Sequence, residues 1–196
     1  MIVDTVSSAI RKHSSGRAVL ASFAAFAVLA ALINGRPFGL AQLEAITGGA
    51  GILDMVFTYT PEQAYTMLAA LGDAGRAFYL TRIVPLDLVF PLVYTLIYAV
   101  TITWLLSRWL PAGSPWMRLN VVPLVAGAAD YCENAGVIAM LLSYPAELYG
   151  VAAFTAVMSP VKYAFITLSV LIILGAFAGW GASILRDRRG QTRANI

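Results

Sequence analysis

Seventeen consecutive residues, Ala18 to Asn34 (AVLASFAAFAVLAALIN), carry no charge, and three later stretches are nearly as apolar. A hydrocarbon core about 30 Å thick is crossed by roughly 20 mostly apolar residues in a helix. Lipid offers no partner to an open backbone, so such stretches are helical. Four transmembrane helices are therefore predicted, over 18–34, 84–107, 121–143 and 161–185, with a long outer loop over 35–83. The fold class is all-α: one polytopic membrane domain spanning 1–196. Gly35 and Pro37 supply the stop signal after the first span. That span has a rival reading as a secretory signal, since Arg11, Lys12 and Arg17 precede it. The run is long for such a signal, however, and no A-x-A site follows before Asn34-Gly35.

Composition agrees. Hydrophobic residues make up 60% and charged residues 12%, against about 45–50% and about 25% in soluble domains, and the mean hydropathy is +0.78. The net charge of +3 gathers at the two ends and one short loop, which argues for membrane topology and against nucleic acid. Arg36, Arg76, Arg82 and Lys162 fall on the outer side; the other nine of the 13 Lys and Arg lie opposite. The positive-inside rule then places both termini in the cytoplasm, in a plasma membrane of prokaryotic type. Trp104, Trp109, Trp116 and Trp180 fall near that inner interface. One cysteine (Cys132) and one histidine (His13) leave metal and cofactor sites without ligands, and neither is expected.

The outer loop carries its own signals. Thr60-Pro61-Glu62-Gln63 opens a helix with a capping box and proline at the first position. Gly72 ends it, and Asp73 can cap the next. Pro85 and Pro91 should kink or interrupt the second span. The loop reads either as a partly helical cap over the outer mouth or as a helix lying on headgroups. Residues 1–13 place Val3, Val6 and Ile10 on one face, as in a short surface helix.

The third span contains A-A-D-Y-C-E-N-A-G. Asp130, Glu133 and Asn134, at i, i+3 and i+4, share a helical face. A charge at the bilayer centre costs on the order of 2.5–3.5 kcal/mol on insertion scales, so these acids should face the bundle interior or a wet cavity. On the second span Asp87, Pro91, Tyr94, Tyr98 and Thr101 form a matching stripe, with Asp87 near the outer mouth beside Arg76 and Arg82. Asp130, Glu133, Asn134, Asp87, Tyr94 and Tyr98 are the candidate ligand-binding residues. The bland reading is an interhelical hydrogen-bond knot, but such bonds average only about 0.6 kcal/mol. Lys162, placed at the outer start of the fourth span, reads as snorkelling to headgroups rather than as a counter-ion. Cys132 lies on another face. Gly175-x-x-x-Gly179 allows close helix approach, either to the alanine-rich first span or to a second molecule.

The order of a short span, a long partly helical outer loop and a span opening Asp87-Leu88-Val89-Phe90-Pro91 resembles the EXPERA family, which includes the sterol isomerase and the sigma-2 receptor. The resemblance covers these residues and the topology; the D-x-x-E-N of the third span lies outside it. It implies a compact helical membrane protein whose intramembrane acids face a lipophilic pocket. Three functions fit. One is binding or transport of a small lipophilic or cationic (amine) ligand at the acids. Another is intramembrane acid–base catalysis of the isomerase type, since a protonated carboxyl beside an ionised one is a competent donor–acceptor pair. The third is an accessory role in a larger membrane complex. Membrane lipids are the expected surroundings, and a homodimer is compatible with the glycine motif.

Overall fold

The computed structural model describes residues 2–194, and the chain is helical throughout its ordered elements. Helix α1 (Ile2–His13) leads into α2 (Gly16–Asn34), where the Ser15 side chain caps by accepting from the Ala18 N–H. The outer loop holds α3 (Leu40–Thr47), a 3-10 turn (Leu53–Met55) and α4 (Pro61–Ala70). Then α5 (Gly72–Phe78), a π-helical turn (Tyr79–Ile83) and α6 (Val84–Leu106) follow one another without a break. A 3-10 segment (Pro115–Val121) precedes α7 (Val122–Ser143), and α8 (Tyr149–Ala194) closes the chain.

Among the described residues, three helices are long and apolar enough to cross a membrane: Gly16–Asn34, Gly72–Leu106 and Tyr149–Arg186. The third predicted span, 121–143, is present as α7 but does not join them, because Asp130, Glu133 and Asn134 lower its hydropathy. Two other boundaries move. The second span begins at Gly72 rather than 84, and the fourth begins at Tyr149 rather than 161, with Pro160 inside the helix. The latter shift carries Lys162 more than three turns into α8.

Helix α7 packs against α6 on one side and most extensively against α8 on the other, while α2 rests on the outside of α6. Of α2 only Leu29 is buried, as expected of a helix apolar all round and facing lipid. Two glycines set the spacing. A Cβ on Gly136 would stand 1.8 Å from Thr155 Oγ1, and one on Gly127 2.5 Å from Thr95 Oγ1. The Thr155 side chain of α8 and the Thr95 side chain of α6 therefore seat directly against the α7 backbone.

The 35–83 loop forms a cap over one end of the bundle. Leu43, Leu53, Tyr65, Leu68 and Tyr79 form one buried cluster with Val137 and Met140 of α7, and the Tyr65 hydroxyl accepts from the Leu148 N–H. The predicted capping box is present: Gln63 N–H donates to Thr60 Oγ1 and Thr60 N–H to Gln63 Oε1. Gly72, at φ +62°, turns the chain between α4 and α5. Leu71, not Asp73, occupies the cap position of α5, and Asp73 pairs with Arg76 instead.

At the other end α1 docks on the face that carries Val6, Ser7 and Ile10: Ser7 Oγ donates to the Met117 carbonyl, Val6 and Ile10 are half-buried, and Val3 is exposed. Of the glycine motif, Gly179 is covered from within the molecule by the Trp109 ring, while a Cβ on Gly175 would meet nothing within 4 Å.

Candidate functional site

The two prolines of the second span shape the site. Pro85 has no N–H and its ring crowds the carbonyl four residues back, and the π-helical turn at Tyr79–Ile83 opens the helix at that point. The chain stays helical instead of breaking. Pro91 likewise leaves the Asp87 carbonyl without its intrahelical donor. Asn134 of α7 supplies one, its Nδ2 donating to Asp87 O at 3.4 Å, and the Tyr131 hydroxyl donates to Leu88 O at 3.0 Å. Side chains of a neighbouring helix thus satisfy the backbone that proline frees, as a lipid-embedded helix requires.

The polar faces of α7 and α8 meet in register. Gly136 lies against Thr155; one turn along α7, Glu133 accepts from Ser159 Oγ; a further turn brings Asp130 to Lys162. The Lys162 ammonium stands 2.5 Å from Glu133 Oε2 and 3.7 Å from Asp130 Oδ1. It also donates to the Asp54 carbonyl at 3.4 Å. Tyr94 of α6 donates to Asp130 Oδ2 at 3.0 Å. Asp130, Glu133 and Asn134 are at most 2% exposed and Lys162 is 5% exposed.

Lys162 therefore does not snorkel. Its start in α8 places it level with the middle of α7, where the two carboxylates are the nearest polar partners. It is the counter-ion of the cluster.

From above, the cap closes the site with Asp54 of the Leu53–Met55 turn. Its Oδ2 accepts from the Tyr79 hydroxyl and its carbonyl from Tyr163 at 3.1 Å. Burial pushes the Asp54 carboxyl up from the usual 3.8, against the opposing pull of the Tyr79 hydrogen bond and the Lys162 charge. Tyr59, also buried, lies within electrostatic reach of Asp54 and Glu133, and burial raises its hydroxyl as well.

Of the predicted residues, Asp130, Glu133, Asn134 and Tyr94 form one hydrogen-bonded group. Asp87 joins it through its carbonyl, and its carboxylate senses the charges of Asp54, Asp130 and Lys162. Arg76 is not its partner: it donates to the Leu68 carbonyl, pairs with Asp73 and stacks on Tyr144 at 3.9 Å. Tyr98 contacts the Tyr94 ring at 6.0 Å and stays outside the hydrogen-bonded group. Cys132 is exposed, on another face, as expected.

Sequence reasoning missed Asp54, Tyr59, Tyr79, Ser159 and Tyr163. One signal was present: Ser159, Lys162 and Tyr163 have the same i, i+3, i+4 spacing on α8 as Asp130, Glu133 and Asn134 have on α7. Asp54 has no such signal, because only the cap's folding brings it there.

Two carboxyl groups (Asp130 and Glu133) thus pair with one ammonium, and those of Asp54 and Asp87 lie within electrostatic reach of it. Asp54 Oδ1, Asp87 Oδ2 and Asn134 Oδ1 are buried acceptors to which no protein group donates among the described residues. No three acidic, histidine or cysteine side chains of the described residues converge closely enough to hold a metal ion. The arrangement suits protons or a small cation bound by a few oxygens. Comparison with protein-family models, curated proteins and solved structures gives no match.

Proposed function

We propose that this is a four-span membrane protein that binds a small organic cation, a protonated amine, at the Asp130–Glu133–Lys162 site. Binding would exchange with bound protons, and entry would be through the cap. The observation that carries this reading is the charge imbalance: three buried acids and the half-buried Asp87 against one buried ammonium. Each uncompensated buried ion costs several kcal/mol, so the excess negative charge must be met by protons or by a ligand cation. The buried acceptors of Asp54, Asp87 and Asn134 point to where it would sit.

In this reading α7 is the fourth crossing, at 22 residues about 33 Å long. Its acids are shielded by α6 and α8, and its exposed face meets lipid. Both termini then lie on the arginine-rich cytoplasmic side. Acid–base catalysis on a lipophilic substrate draws less support, because the apolar cavity beside Leu106 and Trp109 is lined by no acid.

The test is charge movement in proteoliposomes on a solid-supported membrane. Pulses of methylammonium should give transient currents with wild type and none with Asp130→Asn/Glu133→Gln. Equal responses from the two proteins would reject the reading. A second reading has one observation in its favour: the network ties α6, α7, α8 and the cap together with protein partners alone, as a structural clamp would. That reading expects no current from wild type and a large loss of stability in the double variant.

A further inference from the structure

At the α1 end of the bundle, opposite the cap, two cavities share the side chain of Leu110 as a common wall. The first, about 360 Å³, is apolar. It lies between the end of α6, the Pro115–Val121 segment and α8, lined by Leu106, Trp109, Trp116, Ile172 and Gly175. Trp109 is 36% and Trp116 63% exposed, so this slot opens at the molecular surface. The second, about 530 Å³, is polar and basic, with Arg11 and Lys12 on its wall beside Ser8, Ser14 and Ser107, and no acid among its lining residues. Neither Arg11 nor Lys12 pairs with an acid among the described residues. The one acid of α1, Asp4, is held 2.7 Å from Arg118 instead.

An apolar slot separated only by Leu110 from two cations that pair with no acid among the described residues has the two halves of an amphipathic anion. Tryptophans at its mouth are the residues that settle at headgroup depth. The slot is also built to stay open: a Cβ on Gly175 would meet no atom within 4 Å, so the glycine there leaves space rather than making contact. A soluble phosphate would use only the basic half, and a neutral lipid only the apolar half.

We propose that this end of the protein binds one anionic phospholipid, its acyl chain in the Trp109–Trp116 slot and its phosphate against Arg11 and Lys12. The site is independent of the acid cluster.

The test is native mass spectrometry of protein reconstituted with equal amounts of phosphatidylglycerol and phosphatidylcholine, then stripped in detergent. Wild type should retain one phosphatidylglycerol, favoured over phosphatidylcholine by about fivefold or more, since a basic residue near a headgroup contributes about that factor. Arg11→Gln/Lys12→Gln, on the surface of a peripheral helix, should bring the ratio to about one. Gly175→Leu, whose Cβ has open space around it and whose side chain occupies the slot, should lower retention of both lipids about fivefold, with circular dichroism unchanged. Equal retention of the two lipids by wild type would overturn the proposal. So would undiminished retention in Gly175→Leu with an unchanged helical spectrum, or displacement of the lipid by millimolar inorganic phosphate. If Gly175→Leu does not fold, the ratio in the Arg11/Lys12 variant decides.

Discussion

Replacing Lys162 with methionine keeps most of the side chain's volume and removes only its charge. The ammonium lies 2.5 Å from Glu133 and 3.7 Å from Asp130, gross attractions of about 7 and about 4 kcal/mol at an effective dielectric of about 20. Desolvation of the three ions returns much of that, so the sum is no measure of stability. Loss of one partner is costly for another reason: two carboxylates are left buried without their cation. Breaking a buried pair in this way costs about 3–5 kcal/mol. If Lys162 instead reached the headgroups, its removal would cost within about 0.5 kcal/mol, as surface substitutions do. The assay is reversible unfolding in mixed detergent and SDS micelles, followed by tryptophan fluorescence, for Lys162→Met, Glu133→Gln and the double variant. The double variant should be more stable than the sum of the single losses implies, by about 1–3 kcal/mol, because the stranded carboxylate has been neutralised. A small loss for Lys162→Met together with strict additivity would refute the buried counter-ion assignment.

Three further outcomes follow from the geometry. Gly136→Ala forces a Cβ to within 1.8 Å of Thr155 Oγ1 and should destabilise by about 1–3 kcal/mol, with most of the loss recovered by adding Thr155→Ala; the same micelle titration reads both. Asp54→Asn removes a carboxyl whose proton is held more tightly in the folded state. Below its usual 3.8 the group is protonated folded or unfolded and Asn and Asp should be alike. As pH rises, the unfolded state ionises first, and wild type should lose stability relative to Asp54→Asn until the folded group itself titrates. Hydrogen exchange of the cap amides against pH would show it, and a pH-independent difference would contradict it. Finally, Cys132, exposed halfway along α7, should resist water-borne maleimide in intact membranes yet react once the protein is in SDS; ready labelling in membranes would exclude α7 as a crossing.

The sequence by itself determined the helical fold, three of the long apolar helices and the polar face of α7. These are properties of local spacing and length, which a chain in lipid can satisfy in only one way. The capping box at Thr60 and Gln63 belongs to the same class, since both partners lie within a single turn. Asp130, Glu133 and Tyr94 were legible as a group because i, i+3, i+4 patterns on two helices point to a shared interface. The role of Lys162 was not, because proline at 160 resembles a helix boundary, and only the packing of α8 shows that the helix runs through it. Asp54, Tyr79 and Ser159 reach the site from three separate elements. Their convergence depends on how the cap folds over α7 and α8 and on Gly136 allowing those two helices to close up. Which acids share one cation is a matter of distances between elements far apart in the chain, and the tertiary structure alone decides those.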